Sequence, residues 1–386
     1  MKGLFRRVMI TQFLTAFADN AILFTAITII LQKNQVAPWY VPTLQASFLV
    51  AFVLLAPWVG PFADARPKPR VLMLANLVKA AGVVLLWFSV SPLLAYALVG
   101  LGAAIYSPAK YGILPEITPA QDLVRANGWI EGSTILAILS GTLVGAWVSE
   151  WSIHGALVMI LSLYLVSAVV AMSIRHTFVK GRSTEAALSY FKAMSQQLLA
   201  TPRARFATLG VSLFWAAATV LRVLLVAWAP MVLMLTKSSD IATLTLFTAI
   251  GIAVGSLLAS RLIPLHGLSR ARFAGYATGF AIILLGLVDQ AGAARGVLFL
   301  IGFAGGIFVV PINAALQEIG HQTIGSGKAV GIQNFFENLT MLTASGLFAL
   351  AARAGANPIV SLQVLGLLVV ISTLIISRRL PPVGER

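Results

Sequence analysis

The sequence predicts an all-α polytopic membrane protein, with twelve transmembrane helices in two pseudo-symmetric six-helix bundles. Three observations carry that reading. Hydrophobic residues make up 59% of the 386-residue chain and charged residues only 10%, whereas a water-soluble protein carries about 25% charged residues. The apolar residues run in long unbroken stretches with no two-residue alternation, which excludes barrel strands. The second half also repeats the first. Gly100–Ile117, GLGAAIYSPAKYGILPEI, aligns without a gap on Gly302–Ile319, GFAGGIFVVPINAALQEI, setting Glu116 against Glu318 and Tyr106 against Phe308. Arg125-Ala126-Asn127-Gly128 recurs one residue further along as Lys328-Ala329-Val330-Gly331. Duplicated halves of hydrophobic helices mark a secondary transporter with its site at the interface between halves.

Crossing a bilayer core takes about 20 apolar residues per helix. The first stretch, 8–32, is too long for a signal-peptide core and lacks an Ala-x-Ala cleavage pattern, so it reads as a retained membrane helix. Five more follow at 43–63, 71–90, 92–113, 127–149 and 154–174. The longest polar stretch comes next and divides the chain nearly in half. Residues 1–175 therefore form the first bundle, 176–205 a cytoplasmic linker and 206–386 the second bundle. Within the linker, Thr184–Ala200 has helix-forming composition and an apolar stripe, which predicts an amphipathic helix on the cytoplasmic membrane face. The second set of spans is 206–235, 241–263, 272–288, 296–315, 329–352 and 357–377.

A net charge of +15 raises the possibility of nucleic acid as a partner, but its distribution excludes that. With the N-terminus inside, 20 of the 27 basic residues fall on cytoplasmic segments, and only Lys33, Lys237, Arg295 and Arg353 fall outside. This is the positive-inside pattern, and it predicts that both termini are cytoplasmic. The excess also favours anionic membrane lipids as neighbours. Cysteine is absent, which removes disulfides, Cys-zinc sites and thiol nucleophiles. Neither a cofactor nor a metal is expected.

Six helices, a central loop and six more helices form the layout of the major facilitator superfamily. Gly60-Pro61-Phe62-Ala63-Asp64-Ala65-Arg66-Pro67-Lys68-Pro69-Arg70 resembles that superfamily's loop between spans two and three. Pro67 stands where a glycine is usual and Ala65 where a base is usual. Gly60 permits close helix contact. Asp64 ends a helix where a carboxylate can face the positive N-terminus of another, such as the span starting at 327–331.

Ionised groups at mid-bilayer cost about 2.5–3.5 kcal/mol each on insertion scales, so they usually line a polar cavity. Six remain once loops are removed: Asp19, Lys79, Lys110, Glu131, Arg222 and Glu337. In the superfamily, spans one, four, seven and ten surround the central cavity. The resemblance therefore implies a substrate site of Asp19, Asn20, Tyr106, Lys110, Arg222 and Asn313. Gating or secondary roles fall to Asp64, Glu116, Glu131, Gln317, Glu318, Asn334, Glu337 and Asn338. Plainer readings stand beside these. Asp19 and Arg222 can form an interhelical ion pair, and Lys110 can snorkel to the cytoplasmic interface. Lys79, on span three, reads as snorkelling or as a structural partner. Asn334 and Asn338 can simply hold helices together.

Cations suit a phosphate, a carboxylate suits an ammonium, and Phe, Trp and Leu suit a hydrocarbon tail, so an amphiphile with a charged headgroup fits all three. The segments Gln12–Phe24, Tyr106–Ile117, Leu123–Ile135, Ser212–Trp228, Val309–Gly320 and Ala329–Leu342 resemble the bacterial lysophospholipid transporters. That resemblance implies a monomeric flippase of the bacterial inner membrane and no enzyme. It would carry lysophosphatidylethanolamine and lysophosphatidylglycerol from outer to inner leaflet by alternating access, admitting the lipid laterally. A cytoplasmic acyltransferase–acyl carrier protein synthetase would then restore the missing chain. The competing readings are a cation-coupled exporter of amphipathic drugs, with Asp19 or Glu131 as proton site, and a membrane-bound lipid acyltransferase. Such acyltransferases use His-x4-Asp, and none of the four histidines has an Asp at that spacing.

Overall fold

Apolar sequence in long runs becomes helix because only a helix satisfies every backbone N–H and C=O within the segment. A computed structural model describes residues 2–32, 37–118, 123–174, 187–263, 265–323 and 326–378. The described helices are α1 (Lys2–Leu31), α2 (Tyr40–Asp64), α3 (Lys68–Trp87), α4 (Pro92–Ile117), α5 (Leu123–Trp151), α6 (Ile153–Met172), α7 (Ala187–Leu198), α8 (Pro202–Leu233), α9 (Ser238–Leu262), α10 (Ala271–Leu285), α11 (Ala291–Thr323), α12 (Ser326–Arg353) and α13 (Pro358–Ser377).

Local signals set several boundaries. Thr201 and Asn357 accept hydrogen bonds from the backbone N–H groups of Ala204 and Ile359, and a proline opens the helix after each. Ser152 caps α6 in the same way through the N–H of Gly155. Eleven described helices are long and apolar enough to cross a membrane. The ninth expected span, 272–288, differs. Its helix, α10, ends at Leu285, three residues short of the expected end, and a separate 3-10 segment at Leu265–Arg270 precedes it.

The chain divides into two compact units, one of residues 1–36 and 47–190, the other of residues 37–46 and 191–386. In the first, α1 packs on α5 and α6, and α3 on α4 and α6. Its core includes Val71, Leu72, Tyr106, Ile113 and Ile130. In the second, α11 packs on α9, α12 on α8, and α10 on α11 and α13. Its core includes Phe206, Phe214, Phe308, Ile312 and Ile332.

Glycine decides how near these helices come. Gly100 of α4 lies against the backbone of Phe48 in α2, and the repeat's equivalent glycine, Gly302 of α11, lies against Thr248 in α9. The shared glycine does the same job in both units. In the second unit the contact is a double interlock, with Gly251 and Gly255 against Phe299 and Phe303, and Gly302 and Gly306 against Thr248 and Ile252. On α5, Gly141 and Gly145 lie against Phe17 and Ala21 of α1. The glycines of these spans therefore serve packing inside each unit.

The helix expected within the linker is present as α7. The apolar stripe of α7, with Phe191, Met194 and Leu198, packs into the second unit's core. Phe191 meets Phe335 edge to face at 5.0 Å. Leu198 at its end is fully buried, whereas Leu188 is 61% exposed. Residues 202–205 of the expected linker form the first turn of α8.

Candidate functional site

In the first unit, Asp19 of α1 is held by groups from two other helices. The Lys79 ammonium on α3 donates to both carboxylate oxygens, at 2.9 Å and 2.7 Å. The Tyr164 hydroxyl on α6 donates to Oδ1 at 2.8 Å. The ammonium also lies 4.9 Å from the ring centroid of Tyr106 and 5.8 Å from that of Tyr164, within cation–π range. Lys79 is 1% exposed and Asp19 21% exposed. The cation is thus sealed behind the carboxylate, and part of the carboxylate stays open.

Helical periodicity explains a second polar rung beside this ionic one. Thr15 lies four residues from Asp19, Asn76 three from Lys79, and Ser167 three from Tyr164, so each pair shares a helix face. Thr15 donates to Asn76 Oδ1 at 2.9 Å, and Asn76 donates to Ser167 Oγ at 3.1 Å. Ser167 donates to the Thr11 carbonyl at 3.0 Å. Gly102 of α4 makes room for the lysine, because a Cβ there would lie 2.5 Å from Lys79 Cγ. Gly141 and Gly145 bring α5 against α1 on either side of Asp19.

The cation bound to Asp19 is Lys79, which sequence reasoning had read as snorkelling or as a structural partner. Asn20, next to Asp19, donates to the Ala16 carbonyl at 2.9 Å. Tyr106, expected to touch substrate, is 5% exposed and sits in the core behind Lys79. Lys110 is buried, with its ammonium 4.0 Å from the ring centroid of Tyr111. Glu116 pairs with Lys68 at 3.4 Å, and Lys68 reaches it across Gly112.

In the second unit, Arg222 lies half-buried on α8. Gln333 of α12 bridges two expected residues, donating to Asn313 Oδ1 at 2.8 Å and to Glu337 Oε1 at 2.6 Å. Asn338 donates to the carbonyl of Asn334 at 2.6 Å, so its amide serves its own helix. Glu318 pairs with Arg203 at 2.8 Å. The repeat's shared glutamates thus both take a basic partner, Lys68 for one and Arg203 for the other. The side chains of Asp64, Glu131 and Gln317 lie outside the described residues. Sequence reasoning missed Tyr164 and Gln333, and it left Lys79 between snorkelling and the structural partnership it makes with Asp19.

Comparison with known proteins places this geometry. Residues 8–345 match the Major Facilitator Superfamily. The chain is 41% identical over 360 residues to the lysophospholipid transporter LplT of Photorhabdus laumondii, covering 92% of this chain and 90% of that one. It is 42% identical over 354 residues to the LplT of Yersinia enterocolitica, covering 90% and 87%. The crystal structure of the nucleoside transporter NupG is similar with a TM-score of 0.71 at 13% identity, covering 97% of both chains. That of the fucose:proton symporter FucP is similar with a TM-score of 0.65 at 15% identity, again covering 97% of both. At those identities the two crystal structures speak to fold alone. The chain belongs to the Major Facilitator Superfamily and, within it, to the family of the LplT proteins.

Proposed function

We propose that this chain flips lysophospholipids from the outer to the inner leaflet of the bacterial inner membrane. One observation carries the reading: the identity to proteins named for lysophospholipid transport is high and runs through both halves. The geometry supports it. Within the first unit, a part-open carboxylate and its neighbouring amide on α1 and a buried cation on α4 offer a zwitterionic headgroup both kinds of partner. The route is alternating access with lateral admission of the lipid, so that the acyl chain stays among apolar side chains. The protein works as a monomer with both termini cytoplasmic. Its product feeds a cytoplasmic acyltransferase–acyl carrier protein synthetase. A drug exporter using Asp19 as its proton site is less well supported, because Lys79 and Tyr164 already engage that carboxylate.

The test is leaflet-resolved flipping of mono- and diacyl phosphatidylethanolamine in the same proteoliposomes. A slot for one chain passes the lyso form and leaves the diacyl form nearly untransported, since a second chain needs more width and more desolvated surface. Comparable rates for the two would remove the lysolipid assignment.

Lys110 is assigned to the phosphate. Lysine acts on phosphate as a compact point charge without bidentate geometry, so Lys110→Arg keeps substantial transport and Lys110→Gln loses it. Equal rates in the two variants, measured at matched membrane abundance, would return Lys110 to the snorkelling role.

A further inference from the structure

We propose that Lys79 is the residue that sets headgroup charge tolerance: by cancelling the Asp19 carboxylate from behind, it lets anionic and zwitterionic headgroups pass the same wall. The proposal rests on the lysophospholipid reading above and assigns a role to a residue that touches no substrate. Lys79 is a positioning residue, acting through Asp19.

The geometry makes the case in three steps. The ammonium sits within hydrogen-bond distance of both carboxylate oxygens, so the pair is a closed dipole with no net charge. Burial is lopsided, the lysine at 1% and the aspartate at 21%, so whatever approaches meets the aspartate side. Finally, the lysine is built into place. Its stem runs over Gly102, its ammonium lies in cation–π range of Tyr106 and Tyr164, and the Tyr164 hydroxyl fixes the same carboxylate.

A bare carboxylate at this depth would attract an ammonium and repel a net anion over several ångströms, because charge is poorly screened away from water. A neutralised one keeps its capacity to accept hydrogen bonds while its field falls off as that of a dipole. The headgroup of lysophosphatidylglycerol has a net negative charge and that of lysophosphatidylethanolamine has none. A wall built this way need not distinguish them. Removing only the lysine charge would make it do so.

The experiment is parallel flipping of lysophosphatidylethanolamine and lysophosphatidylglycerol in proteoliposomes, read as the ratio of the two rates at equal reconstituted protein. Lys79→Met should shift the ratio against the anionic lipid by about tenfold, the scale of one uncompensated charge at an intermediate effective dielectric. Lys79→Arg, which keeps the charge, should hold the wild-type ratio. Asp19→Asn combined with Lys79→Met, again neutral, should restore it even if both absolute rates are low. A ratio unchanged in Lys79→Met, or a shift that persists in the neutral double variant, overturns the proposal. Should the wild type flip neither lysolipid, the functional reading fails instead. The two failures are therefore separable.

Discussion

Replacing Asp19 with alanine should abolish lysolipid flipping and markedly lower the thermal stability of the detergent-solubilised protein. The second effect follows from the sealing of Lys79, which is 1% exposed and donates two hydrogen bonds to Asp19. Removing one member of a buried pair strands the other, at a cost of about 3–5 kcal/mol. The Tyr164 hydroxyl loses its acceptor in the same step. Transport fails for a separate reason, since alanine offers the headgroup no acceptor. The two causes can be pulled apart. Asp19→Ala with Lys79→Met removes the stranded charge, so it should recover most of the stability and none of the transport. Thermal unfolding would settle the matter: an Asp19→Ala protein as stable as wild type would mean that Lys79 finds water or another anion easily.

Gly302→Leu should be the most damaging single substitution in the second unit. A Cβ at Gly302 would fall on the Thr248 carbonyl, and backbone cannot yield as a flexible side-chain tip can. Overpacking typically costs about 1–3 kcal/mol and more where rigid elements must separate. Here the obstruction lies at the centre of a four-glycine interlock, so α9 and α11 must part along several turns. Gly292→Leu is the matched control, because a Cβ there meets nothing within 4 Å. The readout is the yield of monodisperse protein after solubilisation. Similar yields from the two variants would show that α9 and α11 can separate without cost.

The scaffold was largely legible in the sequence because its cause is local. Long apolar runs dictate helices, and the repeat at Gly100 and Gly302 dictates two related units. The site was legible only in part. Asp19 stands out as an intramembrane charge on any reading, but choosing its partner requires knowing how α3 is rotated against α1. Nothing local to an apolar helix supplies that rotation. A fainter signal was present: Lys68 and Lys79 lie eleven residues apart, just over three full helical turns, while Gly102 and Gly112 on the next helix lie ten apart. Lysines spaced to pass over glycines point to buried stems. Gln333 went unnoticed because its role depends on Asn313, twenty residues away on another helix. The contact of α7 with Phe335 was not legible for a related reason, since an apolar stripe reads identically whether lipid or protein covers it. The ninth span ends three residues earlier than expected, because hydropathy does not mark where a helix stops.

The internal repeat carries one consequence for how such a molecule diversifies. Its two copies retain the glycine that sets helix spacing and the glutamate that takes a basic partner, yet where one copy has Lys110 the other has Ile312, buried in its core. One copy thus carries a cation where its twin carries a packing side chain. The symmetry between the copies belongs to the skeleton, and their charged positions differ. New substrates can then arise by editing a handful of positions in one half, while the other half preserves the shape that both inherited.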